Sequence, residues 1–184
     1  NIPLNELIER EFPNQKVFVC ANLPYYITSP VIMLLLESRL PISSITVMVQ
    51  KEAAQRLCAQ IGSRESGAVT VAVRYYAEPE ALFSVSRGSF LPAPNVDSAG
   101  IRLHLRKDPP VTVREEKDFF RVVRAAFGQR RKTVHNALAS GLCLPKEQVA
   151  KGMQKLGIPL NMRAEQLQLE DFAGLANTLF EEEK

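Results

Sequence analysis

The sequence has no tryptophan, three cysteines and two histidines among its 184 residues. Cys20, Cys58 and Cys143 are widely spaced and make no Cys-x-x-Cys pair. That excludes a disulfide framework, suits a reducing compartment and leaves the three as small core residues. With only His104 and His135 to add, a zinc site is not expected, and no metal is. No apolar run reaches the length of a membrane span; Pro30 to Leu36 is broken off by Glu37, so no membrane partner is expected. The amino end is neither basic nor long in apolar residues, so no signal peptide is visible and the expected location is cytoplasmic. Nine glycines are present, yet no Gly-x-Gly occurs, and neither Gly152 nor Gly157 is followed by the Lys-Ser/Thr of a P-loop. A nucleotide site of the doubly wound type needs an early strand with such a turn, and these residues do not supply it.

What is present is ordinary in amount and uneven in placement. An apolar fraction of 46% with 23% charged residues is that of a globular chain with a sizeable core. The net charge of +3 hides a strong asymmetry: residues 107–163 carry 12 basic and 5 acidic side chains, whereas residues 164–184 carry 1 basic and 6 acidic ones. A basic block of that kind is a nucleic-acid footprint. A composition break at Lys107–Thr112, with Asp108-Pro-Pro110 as linker, divides the chain into 1–106 and 107–184.

The first part reads as α/β. Leu4, Leu7, Ile8 and Phe12 mark an amphipathic helix. Val17 to Ala21 is a short apolar run, read as a strand buried on both faces, the habit of a parallel sheet. It stops at Asn22-Leu23-Pro24-Tyr25, because Pro24 has no N–H and biases Leu23 toward extended backbone. Ser29 and Pro30 read as an N-cap and first helical position, with a helix from about Pro30 to Glu37. The tetrapeptide then lies just past the carboxyl end of a strand, where open α/β sheets place ligands. Ile45 to Gln50 is a second buried strand, Lys51 to Ala59 a helix with Ala53, Ala54 and Leu57 inward, and Gly67 to Tyr76 a helix. Glu80 to Ser86 and Ala99 to Leu105 are strands; the latter turns Ile101, Leu103 and Leu105 inward, with Arg102 and His104 outward. Between these two strands, Phe90-Leu-Pro-Ala-Pro-Asn-Val-Asp-Ser98 forms an extended, semi-rigid loop that fixes the Phe90 ring, with Asp97 and Ser98 tying it down.

The chemistry of Asn22-Leu23-Pro24-Tyr25 is specific. An exocyclic aromatic amine is a poor nucleophile because its lone pair is delocalised into the ring. Two acceptors on its two N–H bonds draw the nitrogen toward tetrahedral geometry, and the Asn22 side chain and Leu23 carbonyl are two such acceptors. Tyr25 adds a face for base stacking, worth about 1–3 kcal/mol per base. The same residues also read as a Pro-terminated strand followed by core aromatics.

The second part reads as helical. Glu115 to Phe127 sets Phe119, Val122, Val123, Ala126 and Phe127 on one side and Arg121 and Arg124 on the other. Gly128-Gln-Arg130-Arg131-Lys132-Thr133 leads into a helix from Val134 to Ser140; three cations at a helix junction suit a phosphate backbone, or a solvated face. Pro145 to Leu156 and Leu169 to Phe180 are amphipathic helices, and Glu181 to Glu183 is expected to fray into solvent.

Four stretches occur in one order: Asn22 to Pro30, Val49-Gln-Lys-Glu52, Phe90 to Ser98, and Gln129-Arg-Arg-Lys-Thr133, with Arg163-Ala-Glu-Gln-Leu167 and Asp171-Phe172 after them. Together they resemble the ribosomal RNA adenine N6,N6-dimethyltransferases, most closely the bacterial small-subunit (KsgA/RsmA) type. Ala93 and His135 stand where the family has Pro and Arg. The resemblance implies that Asn22 and the carbonyl of Leu23, with Pro24, hold the target amine, that Asn22 lies beside the methyl donor, and that Tyr25 and Phe90 enclose the adenine. It implies that Arg121, Arg124, Arg130, Arg131 and Lys132 contact RNA. The implied donor is S-adenosylmethionine, and the implied partners are small-subunit (16S) ribosomal RNA and the pre-30S particle, met by a monomer. The family's glycine-rich donor loop is expected to precede Asn1. The expected fold is α/β, the carboxyl-terminal portion of a Rossmann-like class I methyltransferase domain (1–106), followed by a small all-α domain (107–184). On that expectation this chain alone is inactive. Two other functions share parts of the pattern: a non-catalytic pre-ribosomal RNA-binding assembly factor, and a large-subunit enzyme of the macrolide-resistance type.

Overall fold

A computed structural model describes residues 3–129 and 131–181. The chain divides into two compact units, one of residues 1–58 and 76–108, the other of residues 59–75 and 109–184. The expected division at residue 107 is linear; this one is not, because residues 59–75 group with the helical residues rather than with the sheet.

The first unit is a four-stranded sheet with helices. Its strands are β1 (Phe18–Asn22), β2 (Ser44–Gln50), β3 (Ala77–Val85) and β4 (Ser98–Leu105), in the order β1-β2-β4-β3. Only β1 and β2 are parallel; β4 runs antiparallel to both of its neighbours. β2 and β4 hold the core of the sheet, with Ile45, Val49, Ile101 and Leu103 fully buried, as a central pair of β-branched and leucine-rich strands should be. β3 is an edge strand, which is why it tolerates Pro79, a residue with no N–H for a second neighbour. Gly100 on β4 lies under the Phe83 ring: a Cβ there would come within 2.5 Å of it, so the ring can cross the strand only over glycine.

β1 departs from expectation. It was expected to be buried on both faces, yet its residues alternate between exposed and half-buried, and Phe18 is 62% exposed. The reason is position: β1 is an edge strand, and among the described residues β2 is its only partner. Cys20 is exposed for the same reason, and Cys143 is exposed at a left-handed helix end (φ 56°), so neither is the core residue expected; Cys58 is intermediate.

Around the sheet run α1 (Leu4–Glu11), α2 (Thr28–Glu37) and α3 (Lys51–Cys58). α1 buries none of its residues, although its apolar positions share one face. α2 begins two residues before the expected start, after a single 3-10 turn at Tyr25–Ile27. Thr28, not Ser29, ties the entry, its hydroxyl donating to the Pro24 carbonyl at 3.3 Å. Pro30 is therefore the third helical residue, still within the first turn, where its missing N–H breaks no intrahelical bond.

The second unit is all-helical: α4 (Ala68–Tyr76, of which Tyr76 falls in the first unit), α5 (Glu116–Phe127), α6 (Val134–Leu142), α7 (Lys146–Lys155) and α8 (Leu169–Leu179). α5 buries Phe119, Phe120, Val122, Val123 and Ala126, a stripe at helical spacing. Phe119 stacks on Tyr75 at 4.8 Å between centroids, and Phe127 stacks on Phe172 of α8 at 5.7 Å. α5 and α6 approach closely at Gly141, where a Cβ would lie 2.7 Å from that of Ala125. The break between them follows from the sequence: α5 ends at Gly128, and Thr133 caps α6 by accepting from the Asn136 N–H. Glu181 is not frayed as expected; Arg114 and Lys155 donate to its two carboxylate oxygens at 3.1 and 3.3 Å, and this pairing holds its carboxyl below the usual range. Glu182 and Glu183 lie outside the described residues.

Candidate functional site

In the first unit, the Asn22–Tyr25 tetrapeptide leaves the sheet at the carboxyl end of β1. Asn22 is the last residue of the strand, in register with Met48, and the Leu23 N–H still donates to the Met48 carbonyl at 3.3 Å. The chain then bends: the Pro24 carbonyl accepts from the Ile27 N–H at 3.1 Å and from the Thr28 hydroxyl. Every bond that fixes this backbone uses a donor of Leu23 or beyond, or the Pro24 carbonyl. Among the described residues nothing donates to the Asn22 side chain or to the Leu23 carbonyl, and Asn22 is exposed. Two acceptors on consecutive residues are thus held open by a backbone satisfied on either side.

Tyr25 is half-buried, and its hydroxyl is 2.8 Å from the Ser98 hydroxyl. Ser98 is fully buried; it opens β4 opposite Gln50, the last residue of β2. The neighbouring Tyr26 is 85% exposed. Phe90 is half-buried, at the end of a 3-10 turn (Arg87–Ser89) that starts the 90–98 loop. That loop is pinned at its far end: Asp97 accepts the Arg87 N–H on its side chain at 3.0 Å and the Lys51 N–H on its carbonyl at 3.0 Å. The rings expected to enclose a base are therefore governed by adjacent residues, Tyr25 by Ser98 and the Phe90 loop by Asp97. The sequence pointed to Asp97 and Ser98 as loop ties; it gave no sign that Ser98 reaches Tyr25, 73 residues away.

His104 is a surface strand residue, as expected, its ring 3.1 Å from the Glu80 carboxylate. Among the described residues no cluster of His, Cys, Asp or Glu has the form of a metal site, and no helix is long and apolar enough to cross a membrane.

The second unit carries the basic residues. Arg124, Arg131 and Lys132 are exposed, while Arg130 lies outside the described residues. Arg121 is committed elsewhere: it donates to Asp118 at 2.8 Å, and its guanidinium lies 4.5 Å from the centroid of the Phe180 ring. His135 places Nε2 3.0 Å from the Lys146 carbonyl, joining the start of α6 to the start of α7. Lys132 and Gln129 also line a cleft of about 180 Å³ with Arg64, Ser66, Arg163 and Glu165. Arg64, Ser66 and Arg163 were missed as site residues from the sequence; they are distant in it, and no local pattern joins them.

The profile of the family described as "Ribosomal RNA adenine dimethylase" matches residues 3–181. The chain is 44% identical over 185 residues to the Ribosomal RNA small subunit methyltransferase A of Lachnoclostridium phytofermentans, covering 100% of this chain and 64% of that protein. It is 51% identical over 166 residues to the protein of the same name from Geobacillus kaustophilus, covering 88% of this chain and 56% of that one. The chain thus spans less than two thirds of the length of these relatives. A dimethyladenosine transferase from Plasmodium falciparum has a crystal structure similar to it at a TM-score of 0.73 and 25% identity, covering 89% of this chain and 66% of that one. The 23S rRNA methyltransferase ErmE shares the fold, with a TM-score of 0.64 at 24% identity over 91% of this chain and 66% of that one. The α/β unit is accordingly of the Rossmann-like methyltransferase kind. From one end of its described residues to the other, the chain belongs to the ribosomal RNA adenine dimethylase family.

Proposed function

We propose that this chain carries the adenine-holding and RNA-contacting residues of an S-adenosylmethionine-dependent dimethyltransferase. Its target is N6 of two adjacent adenines near the 3′ end of small-subunit ribosomal RNA, on the pre-30S particle, met by a monomer in the cytoplasm. The observation that carries this reading is the pair of open acceptors, the Asn22 side chain and the Leu23 carbonyl, at the carboxyl end of β1. Each accepts one N–H of the adenine amine, which raises electron density on N6. Tyr25 offers its ring as a stacking face, and Phe90 closes the base from the other side. Residues 107–184, with Arg124, Arg131 and Lys132 exposed, act as an RNA-binding domain.

On this reading the described residues supply the acceptor side of the reaction. They contain no Gly-x-Gly turn, and Asn22, the last residue of β1, is the one assigned to the donor side. Bound S-adenosylmethionine supplies the electrophilic methyl group, and the residues of this chain hold its acceptor. Replacing Asn22 by Ala in the full-length enzyme removes one of two acceptors. By comparison with a lost oxyanion donor, turnover on small-subunit RNA is expected to fall by about 10²–10³, or ~2.7–4 kcal/mol. RNA affinity should stay near wild type, because phosphate contacts dominate it. Unchanged turnover refutes the assignment.

A further inference from the structure

The cleft of the helical unit has an unusual combination of parts. Arg64, Lys132 and Arg163 line it against one carboxylate, that of Glu165. Among the described residues none of these three cations forms an ion pair, whereas Arg10, Arg56, Arg114 and Arg121 all do. Ser66 also lines the cleft. It is only 5% exposed, and its hydroxyl has no hydrogen-bond partner. A buried hydroxyl left in that state is costly, and such groups ordinarily mark a missing partner. Ser63, three residues earlier, shows the usual alternative: its hydroxyl donates to the Gln60 carbonyl at 2.7 Å. Ser66 stands just before α4, so the positive end of a nine-residue helix adds to the cations.

We propose that this cleft binds one phosphate group of the RNA backbone, with Arg64, Lys132 and Arg163 as its cations and the Ser66 hydroxyl as a buried donor. The inference rests on the RNA-binding reading above. A phosphate suits the cleft better than a base, because the one ring lining it, Phe127, is already stacked on Phe172. About 180 Å³ is room for a phosphate group with some water. An RNA phosphate suits it better than a free one, because the cleft is continuous in sequence with exposed Arg131, beside Lys132. Arg64 and Ser66 come from the segment 59–75, so the phosphate would be held by two parts of the chain that join only in the folded unit.

The test is RNA binding by the full-length enzyme, measured by fluorescence anisotropy with a 3′ fragment of small-subunit ribosomal RNA over a range of salt. Ser66→Ala keeps every charge; it is expected to weaken binding about ten- to a hundredfold, the loss of a hydrogen bond to a charged group, with the salt slope unchanged. The same variant should raise the melting temperature of the free protein, because the unpartnered hydroxyl is gone. Arg64→Ala and Arg163→Ala, both at exposed residues, are expected to weaken binding and flatten the log–log salt slope by up to about one. Inorganic phosphate should displace the RNA from the wild type and lose that effect in Arg64→Ala. RNA affinity unaffected by Ser66→Ala overturns the proposal. Inorganic phosphate that raises the melting temperature without displacing RNA identifies a free-phosphate site and overturns the assignment to RNA. Should Ser66→Ala fail to fold, phosphate competition in Arg163→Ala decides in its place, retained competition overturning the proposal. Turnover of Asn22→Ala reads the dimethyltransferase assignment separately, so the two can fail independently.

Discussion

The Tyr25–Ser98 hydroxyl pair permits a prediction in which a double change costs less than one of its parts. The two oxygens are 2.8 Å apart, with Ser98 fully buried and Tyr25 half-buried. Tyr25→Phe strands the Ser98 hydroxyl away from water, and the stranded group costs about 1–3 kcal/mol. Ser98→Ala strands the Tyr25 hydroxyl, which is nearer to solvent, so the loss is that of an ordinary hydrogen bond, about 0.5–1.5 kcal/mol. Combining the two removes both polar groups from one contact, and the pair should then cost less than Tyr25→Phe alone. Denaturant unfolding of the wild type, both single variants and the double variant measures this as a coupling of about 1 kcal/mol or more. Strictly additive costs would mean that the hydrogen bond does not hold the ring. Methylation by the full-length enzyme gives the second readout: Tyr25→Phe keeps a stacking face but frees its orientation, so turnover should fall less than in Tyr25→Ala, which also loses about 1–3 kcal/mol of base stacking. Tyr25→Ala should destabilise by the Ser98 amount rather than by the ~3–5 kcal/mol of a buried aromatic, which would count as core behaviour.

Calorimetric titration of residues 1–184 with S-adenosylmethionine should show weak binding or none, and affinity comparable to the full-length enzyme would place the donor site within these residues. Gly141→Ala drives a methyl group into Ala125, with the nearest backbone atom at 3.0 Å, and overpacking between α5 and α6 should cost about 1–3 kcal/mol in a thermal melt. Thr133→Ala removes the cap of α6 and should cost about 1 kcal/mol. The hydrogen bonds and charges of Lys155, then Arg114, lower the Glu181 carboxyl, so its stabilisation is present above the ordinary carboxylate range and is lost as pH falls through the lowered value. Glu181→Gln should flatten the acid limb of a plot of melting temperature against pH, and an identical limb would mean that the pair contributes nothing.

Periodicity carried much of the fold. The buried stripe of α5 repeats at helical spacing, and β2 is β-branched through its centre, so each declared its type and inward face. β1 was the exception: among the described residues its one strand partner is β2, which leaves Phe18 and Cys20 exposed. The antiparallel setting of β4 was equally hidden, since strand direction depends on the path of the chain and leaves no mark on composition. At the candidate site, the strand end and bend of the tetrapeptide were legible because their signals are local: an apolar run, a proline and a helix start in consecutive positions. Ser98 and the cleft were not, because Tyr25 and Ser98, or Arg64 and Arg163, become neighbours only through folding.

The discontinuity of the helical unit bears on how the protein could be dissected. A fragment cut at the apparent linker, from residue 107 onward, would leave residues 59–75 behind. Phe119 would lose the Tyr75 ring against which it stacks, and Phe120 the same ring, which it meets edge-on at 5.3 Å. Two large aromatic faces would open on the fragment, and its natural fate is aggregation rather than autonomous RNA binding. A workable excision would need residues 59–75 supplied again, as a fused or added peptide. During synthesis the same arrangement sets an order: α4 emerges well before the α5 residues that cover Tyr75, so the helical unit cannot close until chain some forty residues further along has left the ribosome.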